Sequence, residues 1–147
     1  MKKIIILTLF SIVYVFCAAQ SESDIFGEWF NEEKDAVVTI YKDGNSISGK
    51  TTWLKEPLDS KCNAKLDLKN PDEKLRSRKR MGLKIMHSFK YNDQENIWED
   101  GRIYDPKKGK LYGGTATLVN ENELKLKGYI ISMPFLGRTA TWTRKTN

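Results

Sequence analysis

Turn chemistry recurs along this chain at intervals too short for most helices, and that spacing leaves few folds open. "KDGNS" at 42–46 sets Asp-Gly between two alternating runs, and "YNDQEN" at 91–96 and "NENE" at 120–123 separate others. The runs between the turns alternate apolar and polar side chains, the pattern of half-buried strands. Strands are expected over 27–31, 36–42, 46–54, 83–92, 97–105, 111–119, 123–132 and 135–145. Eight strands joined mostly by hairpins within about 120 residues must hide their two edges, and closure does so. The expected fold is all-β: an eight-stranded antiparallel up-and-down barrel. The sequence holds no internal repeat and no low-complexity segment.

The stretch "GRIYDPKKGKLYGG" at 101–114 is glycine-rich, basic and aromatic, and invites comparison with a phosphate-gripping loop. A Walker loop needs a glycine five residues before its Gly-Lys pair, then Ser or Thr and a helix. Tyr104 and Leu111 hold those two places, and the chain continues as a strand. Asp105 instead caps a turn, Pro106 fixes φ at its second position, and Gly109 tolerates positive φ. This is a hairpin turn. The one long connection is residues 55–82, between the third and fourth strands. Within it "NPDEKLRSR" predicts a short helix, with Asn70 as cap, Pro71 at the first position and Glu73 placed for a capping box. The excursion is either a lid over one barrel mouth or a covering loop without a functional part.

The amino terminus reads as an export leader. "MKK", the apolar run "IIILTLFSIVYVF" and the small residues of "CAAQ" follow the order of a secretory signal peptide, with cleavage expected after Ala19. Residues 20–147 then form one domain, exported to the periplasm or beyond, with no transmembrane span left after cleavage and a monomer as the expectation. Cys17 raises lipidation as an alternative, but Phe16 stands where a lipoprotein signal places a small residue. Losing Lys2 and Lys3 leaves 23 basic residues against 19 acidic ones, a mild positive excess that suits an anionic ligand. Nucleic acid is not expected, because the basic residues are spread along the chain. Cys62 is then the sole cysteine, so no internal disulfide can form. With His87 the only histidine, the usual zinc sets are excluded too. No metal or cofactor is expected.

Alternation assigns faces to the clearer strands. Tyr112, Gly114, Ala116 and Leu118 share one face, as do Leu124, Leu126, Gly128 and Ile130. In the last strand Leu136, Arg138, Ala140, Trp142 and Arg144 point together, and in the fourth Leu83, Ile85, His87, Phe89 and Tyr91 do. The fifth strand resists assignment, since Trp98, Asp100, Arg102 and Tyr104 alternate with Ile97, Glu99, Gly101 and Ile103 and both faces are mixed. If the first and last strands close the barrel, Arg144 meets Trp29, and a guanidinium over an indole is a favourable structural plug. Arg138 lies six residues earlier. A buried guanidinium there needs an answer: a carboxylate such as Asp100 or Asp67, an anionic ligand, or water at an open mouth. His87 is expected on the inner face. Glu99 and Asp100 are adjacent and point to opposite faces, so they do not form a glycosidase pair. No nucleophile motif occurs.

The pieces "GEW" at 27–29, "ISGKTTWL" at 47–54, "DLKNPDEKLR" at 67–76, "GL" at 82–83, "WEDGRIYDPKKGKLY" at 98–112, "LKGY" at 126–129 and "GRTATWTR" at 137–144 stand in order along nearly the whole chain. In them the chain resembles the bacterial exported family known as domain of unknown function 2147. The resemblance implies a lipocalin-like (calycin) barrel and supplies no activity. Positions that fit its motifs are Asp67, Asn70, Pro71, Arg76, Gly82, Gly101, Tyr104, Asp105, Pro106, Gly109, Tyr112, Gly137 and Arg138. Asp100 departs from the family, which tends to carry a small residue there, and that weakens any role for it.

The leading expectation is therefore non-covalent binding of a small amphipathic or anionic ligand in the barrel cup. Arg138, His87, Tyr104, Arg102, Tyr112, Trp142, Asp67, Asn70 and Arg76 are the candidate binding residues, with Trp29, Arg144, Pro106 and Gly109 structural. The alternative is a cell-envelope interaction module acting through its surface or the 55–82 excursion, whose run "EKLRSRKR" could dock an acidic partner. Enzymatic activity has no visible support, and no catalytic residue is assigned.

Overall fold

The computed structural model describes residues 20–146. The leader expected at 1–19, its cleavage and any lipidation of Cys17 lie outside those residues. Eight strands run in chain order: β1 (Gly27–Phe30), β2 (Ala36–Asp43), β3 (Ser46–Leu54), β4 (Lys84–Asn92), β5 (Ile97–Asp105), β6 (Lys110–Asn120), β7 (Glu123–Ile130) and β8 (Met133–Arg144). Each pairs antiparallel with the next, and β1 pairs with β8, so the sheet closes as an up-and-down barrel. Among the described residues no helix is long and apolar enough to cross a membrane. The only helices there are two 3-10 turns, Glu22–Ile25 and Glu73–Leu75.

The lower half of the barrel is solid. Trp29, Trp98, Phe89, Ile25, Ile40, Ile47, Met86 and Leu124 are fully buried there, each contributing about 1.5–3 kcal/mol of apolar burial. The turn at Glu22–Ile25 plugs this end: the indole N–H of Trp29 donates to the Ile25 carbonyl at 2.8 Å, and that of Trp98 to the Glu22 carbonyl at 3.2 Å. Trp29 and Arg144 are direct cross-strand partners at the seam. The Arg144 guanidinium lies 4.1 Å from the indole centroid and donates to the carbonyls of Phe26, Asp24 and Glu121. Four connections remain at the other end, which is open: β1–β2, β3–β4, β5–β6 and β7–β8.

The short helix expected in the excursion is present, with a different cap. It is a single 3-10 turn capped by Asp72, whose side chain accepts from the Lys74 N–H. Asn70 instead folds its own Asx turn, its side-chain oxygen accepting from the Asp72 N–H at 2.9 Å. Competition between that local bond and a helical ladder keeps the segment short.

Two strands also break the expected alternation. Ser88 and Asp100 adopt left-handed backbone, both at φ 58°. Around them Met86 and Phe89, three residues apart, both enter the core, as do Trp98 and Gly101. His87 and Arg102 fall opposite each other on the outside. The inward placement expected for His87 is thereby corrected, and the mixed faces of β5 are explained: both irregularities insert an extra step into a period of two.

Candidate functional site

Above the packed half, the side chains do not fill the barrel interior. A cavity of about 830 Å³ opens at the mouth, walled by Val38, Thr51, Ile85, Ile103, Tyr112, Leu126, Ala140 and Trp142. Trp142 stands in the lower wall, only 6% exposed, and belongs with Leu126 to the buried core cluster as well. The walls are apolar because β6, β7 and β8 keep their alternation, so Tyr112, Leu126, Gly128, Ala140 and Trp142 point inward as their spacing requires.

The rim is charged. Lys55, Lys65, Arg80, Lys107, Lys108 and Arg138 stand around it with Glu33, Asp35, Glu56 and Asp105. Most are mutually neutralised: Lys107 meets Asp35 at 2.6 Å, Lys65 meets Glu56 at 3.1 Å, and Lys108 meets Asp105 at 3.7 Å. Two cations are not. Among the described residues neither Lys55 nor Arg80 has a carboxylate within salt-bridge distance, and the Arg80 Nε–H donates to the Leu66 carbonyl at 3.0 Å. Arg138 is 72% exposed and pairs with Glu32 of the β1–β2 loop. It is not a buried charge, and its partner is neither Asp100 nor Asp67. The third answer foreseen for it, water at an open mouth, describes where it sits.

Asp67 is engaged elsewhere. It is fully buried under the excursion, accepting from the Tyr104 hydroxyl at 2.6 Å, the Asn70 amide at 2.8 Å and Arg78 at 2.9 Å. Burial alone would raise the Asp67 carboxyl; the hydrogen bonds from Tyr104, Asn70 and Arg78 outweigh it and hold the group below the usual carboxylate range. The same burial, with the bond to Asp67, pushes the Tyr104 phenol up to about 12. Arg76 completes the arrangement by donating from Nε to the Asn70 carbonyl at 2.8 Å and pairing with Glu73. The network clamps the excursion onto the barrel wall.

The candidate residues thus divide. Arg138, Tyr112, Trp142 and one edge of Tyr104 border the cavity, while Asp67, Asn70, Arg76, His87 and Arg102 do not. Burial and the nearby Lys84 and Arg78 charges push the His87 imidazole below its ordinary value, so it is neutral near pH 7 and adds no charge to its surroundings. Arg102 donates to the Gly101 carbonyl at 3.0 Å. Sequence reasoning missed Lys55, Arg80, Glu32 and Arg78. Nothing marks Lys55 and Glu32, which lie in loops; Arg78 and Arg80 sit inside the basic run already noted, on either side of the Leu66–Lys79 bridge. The described residues include no group of three or more His, Cys, Asp or Glu side chains suited to a metal ion.

No curated protein is significantly similar to this chain in sequence. Among solved structures, protein HP1028 from the human pathogen Helicobacter pylori, described as belonging to the lipocalin family, superposes with a TM-score of 0.68. The two are 19% identical, and the match covers 82% of each chain. That likeness concerns the fold, and it agrees with the closed eight-stranded barrel. Residues 27–144, from the first strand to the last, match the family described as uncharacterized protein conserved in bacteria, DUF2147, and the chain belongs to that family.

Proposed function

We propose that the chain is exported and binds a small amphipathic ligand with an anionic head in the barrel cup. One observation carries this reading: a cavity of about 830 Å³ with apolar walls, entered past cations that lack a full set of carboxylate partners. A cavity of that size falls within the range that holds small molecules, and an apolar body with a few polar anchors is the usual composition of such sites. The tail of the ligand lies against Val38, Ile103, Leu126 and Trp142. Its head stays at the rim, near Lys55, Arg80 and Arg138. The apolar lining disfavours a wholly polar ligand, whose groups would be desolvated without partners.

The test begins with cargo. Protein recovered from the envelope fraction of its own cells is examined by native mass spectrometry and by solvent extraction, and a bound amphiphile is expected. Thermal melts follow, with fatty acids and with alcohols of the same chain length. The acids should raise the melting temperature more than the alcohols, and the double substitution of Lys55→Met and Arg138→Met should remove the difference. Clean protein with no co-purifying mass, and no shift with either series, would overturn the reading.

A further inference from the structure

The mouth carries a second feature that the cup does not explain. From Ile130 to Gly137 the sequence "IISMPFLG" holds no charged residue, and this segment is the tip of the β7–β8 hairpin. Its pairing is irregular: Tyr129 faces Gly137 and Ile130 faces Met133, so Pro134, Phe135 and Leu136 are looped out of the ladder. Phe135 is 79% exposed, and Ile130, Ile131, Met133 and Leu136 are exposed beside it. These side chains contribute little to the fold that displays them. Elsewhere on the described surface large apolar residues stand apart, at Trp53, Leu58, Leu68, Met81, Leu111 and Val119, as ordinary surfaces allow. Here five fall within seven residues and project from one end of the barrel.

Charge is distributed along the same axis. Mouth loops 31–35, 55–82 and 105–110, with Arg138, carry fourteen basic and nine acidic residues. At the closed end, residues 20–26, 43–46, 92–96 and 120–123 carry seven acidic residues and no basic one. Lys42 pairs with Glu22, Lys84 reaches Asp43, and Arg144 and Lys145 stand beside them, which leaves an acidic excess at that end. An apolar tip set among cations, with the acidic pole facing away, fits the boundary between anionic headgroups and acyl chains. A protein partner fits less well, since lysine is depleted from protein interfaces and this rim is rich in it.

We infer that the β7–β8 hairpin docks the barrel, mouth first, on a lipid surface bearing anionic headgroups. Phe135, Ile131 and Met133 enter the acyl boundary, while Lys55, Arg80, Lys108 and Lys110 lie at headgroup level. Ile130 and Leu136 border both the tip and the cavity, so the docked mouth opens onto lipid. Docking does not depend on what the cup holds.

The experiment reads the tip itself. In a Cys62→Ser background with any retained Cys17 also replaced by serine, Phe135→Cys is labelled with an environment-sensitive fluorophore. It is mixed with vesicles of phosphatidylcholine alone or with about 30% phosphatidylglycerol. A blue shift, and quenching by lipids brominated in the acyl chain, are expected on the anionic vesicles and should weaken with added salt. With the tip unlabelled, Ile131→Asp with Phe135→Asp should lower vesicle partitioning roughly tenfold or more while leaving the thermal melt unchanged, both positions being exposed. A label that stays in water on every vesicle overturns the proposal. So does partitioning equal in wild type and the double variant, or a wild-type dimer that the variant makes monomeric without any vesicle binding, which would assign the hairpin to a second copy. Loss of cup cargo with tip insertion intact would sink the ligand reading and spare this one.

Discussion

Asp67 and Arg138, both candidate binding residues from the sequence, are used in different ways. Asp67 has no exposed surface and takes three donors. Removing it as Asp67→Ala leaves the Tyr104 hydroxyl without its acceptor and the Asn70 amide with only the Tyr104 oxygen, and should cost about 2–4 kcal/mol in denaturant unfolding. Its carboxyl is held below its unfolded value, so its contribution is complete above about pH 4 and is lost as pH falls through the lower folded value. Tyr104 has the opposite sign. Its phenol is held up to about 12, so the stability it brings is present below about pH 10 and is lost as pH rises toward that value. Melts of wild type and Tyr104→Phe across the alkaline range check this: the variant should lose that part of the alkaline decline. Arg138 stands in water beside Glu32. Arg138→Met should shift stability by less than about 1 kcal/mol, and a larger loss in a chemical melt would show that the rim pair is structural.

Strands and turns carry a different kind of information. The three quoted turns and the alternation within β6, β7 and β8 made the barrel and half of its cavity wall legible, because those elements obey a period of two over 110–118, 123–129 and 137–144. The faces of β4 and β5 were not legible. Ser88 and Asp100 take left-handed backbone that neither residue type announces, and a single such step sends His87 and Arg102 outward. The excursion was opaque for another reason. Its structure depends on partners far along the chain, Tyr104 above all, and local propensity does not report them. Gly101 shows what the irregularity achieves: a Cβ there would stand 2.4 Å from the Phe89 ring, so the ring packs directly on glycine backbone. Gly101→Ala should cost about 1–3 kcal/mol by overpacking, measured by urea titration. Gly109 joins two elements. At φ +68° its missing Cβ would fall 1.8 Å from the Lys69 carbonyl oxygen, so Gly109→Ala must push the β5–β6 turn away from the excursion. Faster amide exchange across residues 66–79, with the β7–β8 core unchanged, is the expected signature.

For the molecule as a whole, closure depends on a seam of two cross-strand partners, Trp29 with Arg144 and Phe30 with Thr143. Arg144 reinforces it by reaching three carbonyls while stacking on Trp29. Arg144→Lys should still lower stability by about 1–3 kcal/mol, because a single ammonium lacks the planar fork that spans those acceptors. A melt matching wild type would deny the seam its importance. The solid lower half has a consequence for the upper one. A tube open at both ends would accept chains of any length, whereas this one has a bottom, laid by Trp142 and Leu126 over the packed tryptophans beneath. Such a vessel is a gauge. For a ligand whose head is held at the rim, the depth from rim to floor sets the longest tail that fits without bending, and a homologous series should show a sharp cut-off. Lowering the floor with Leu126→Ala should move that cut-off toward longer chains.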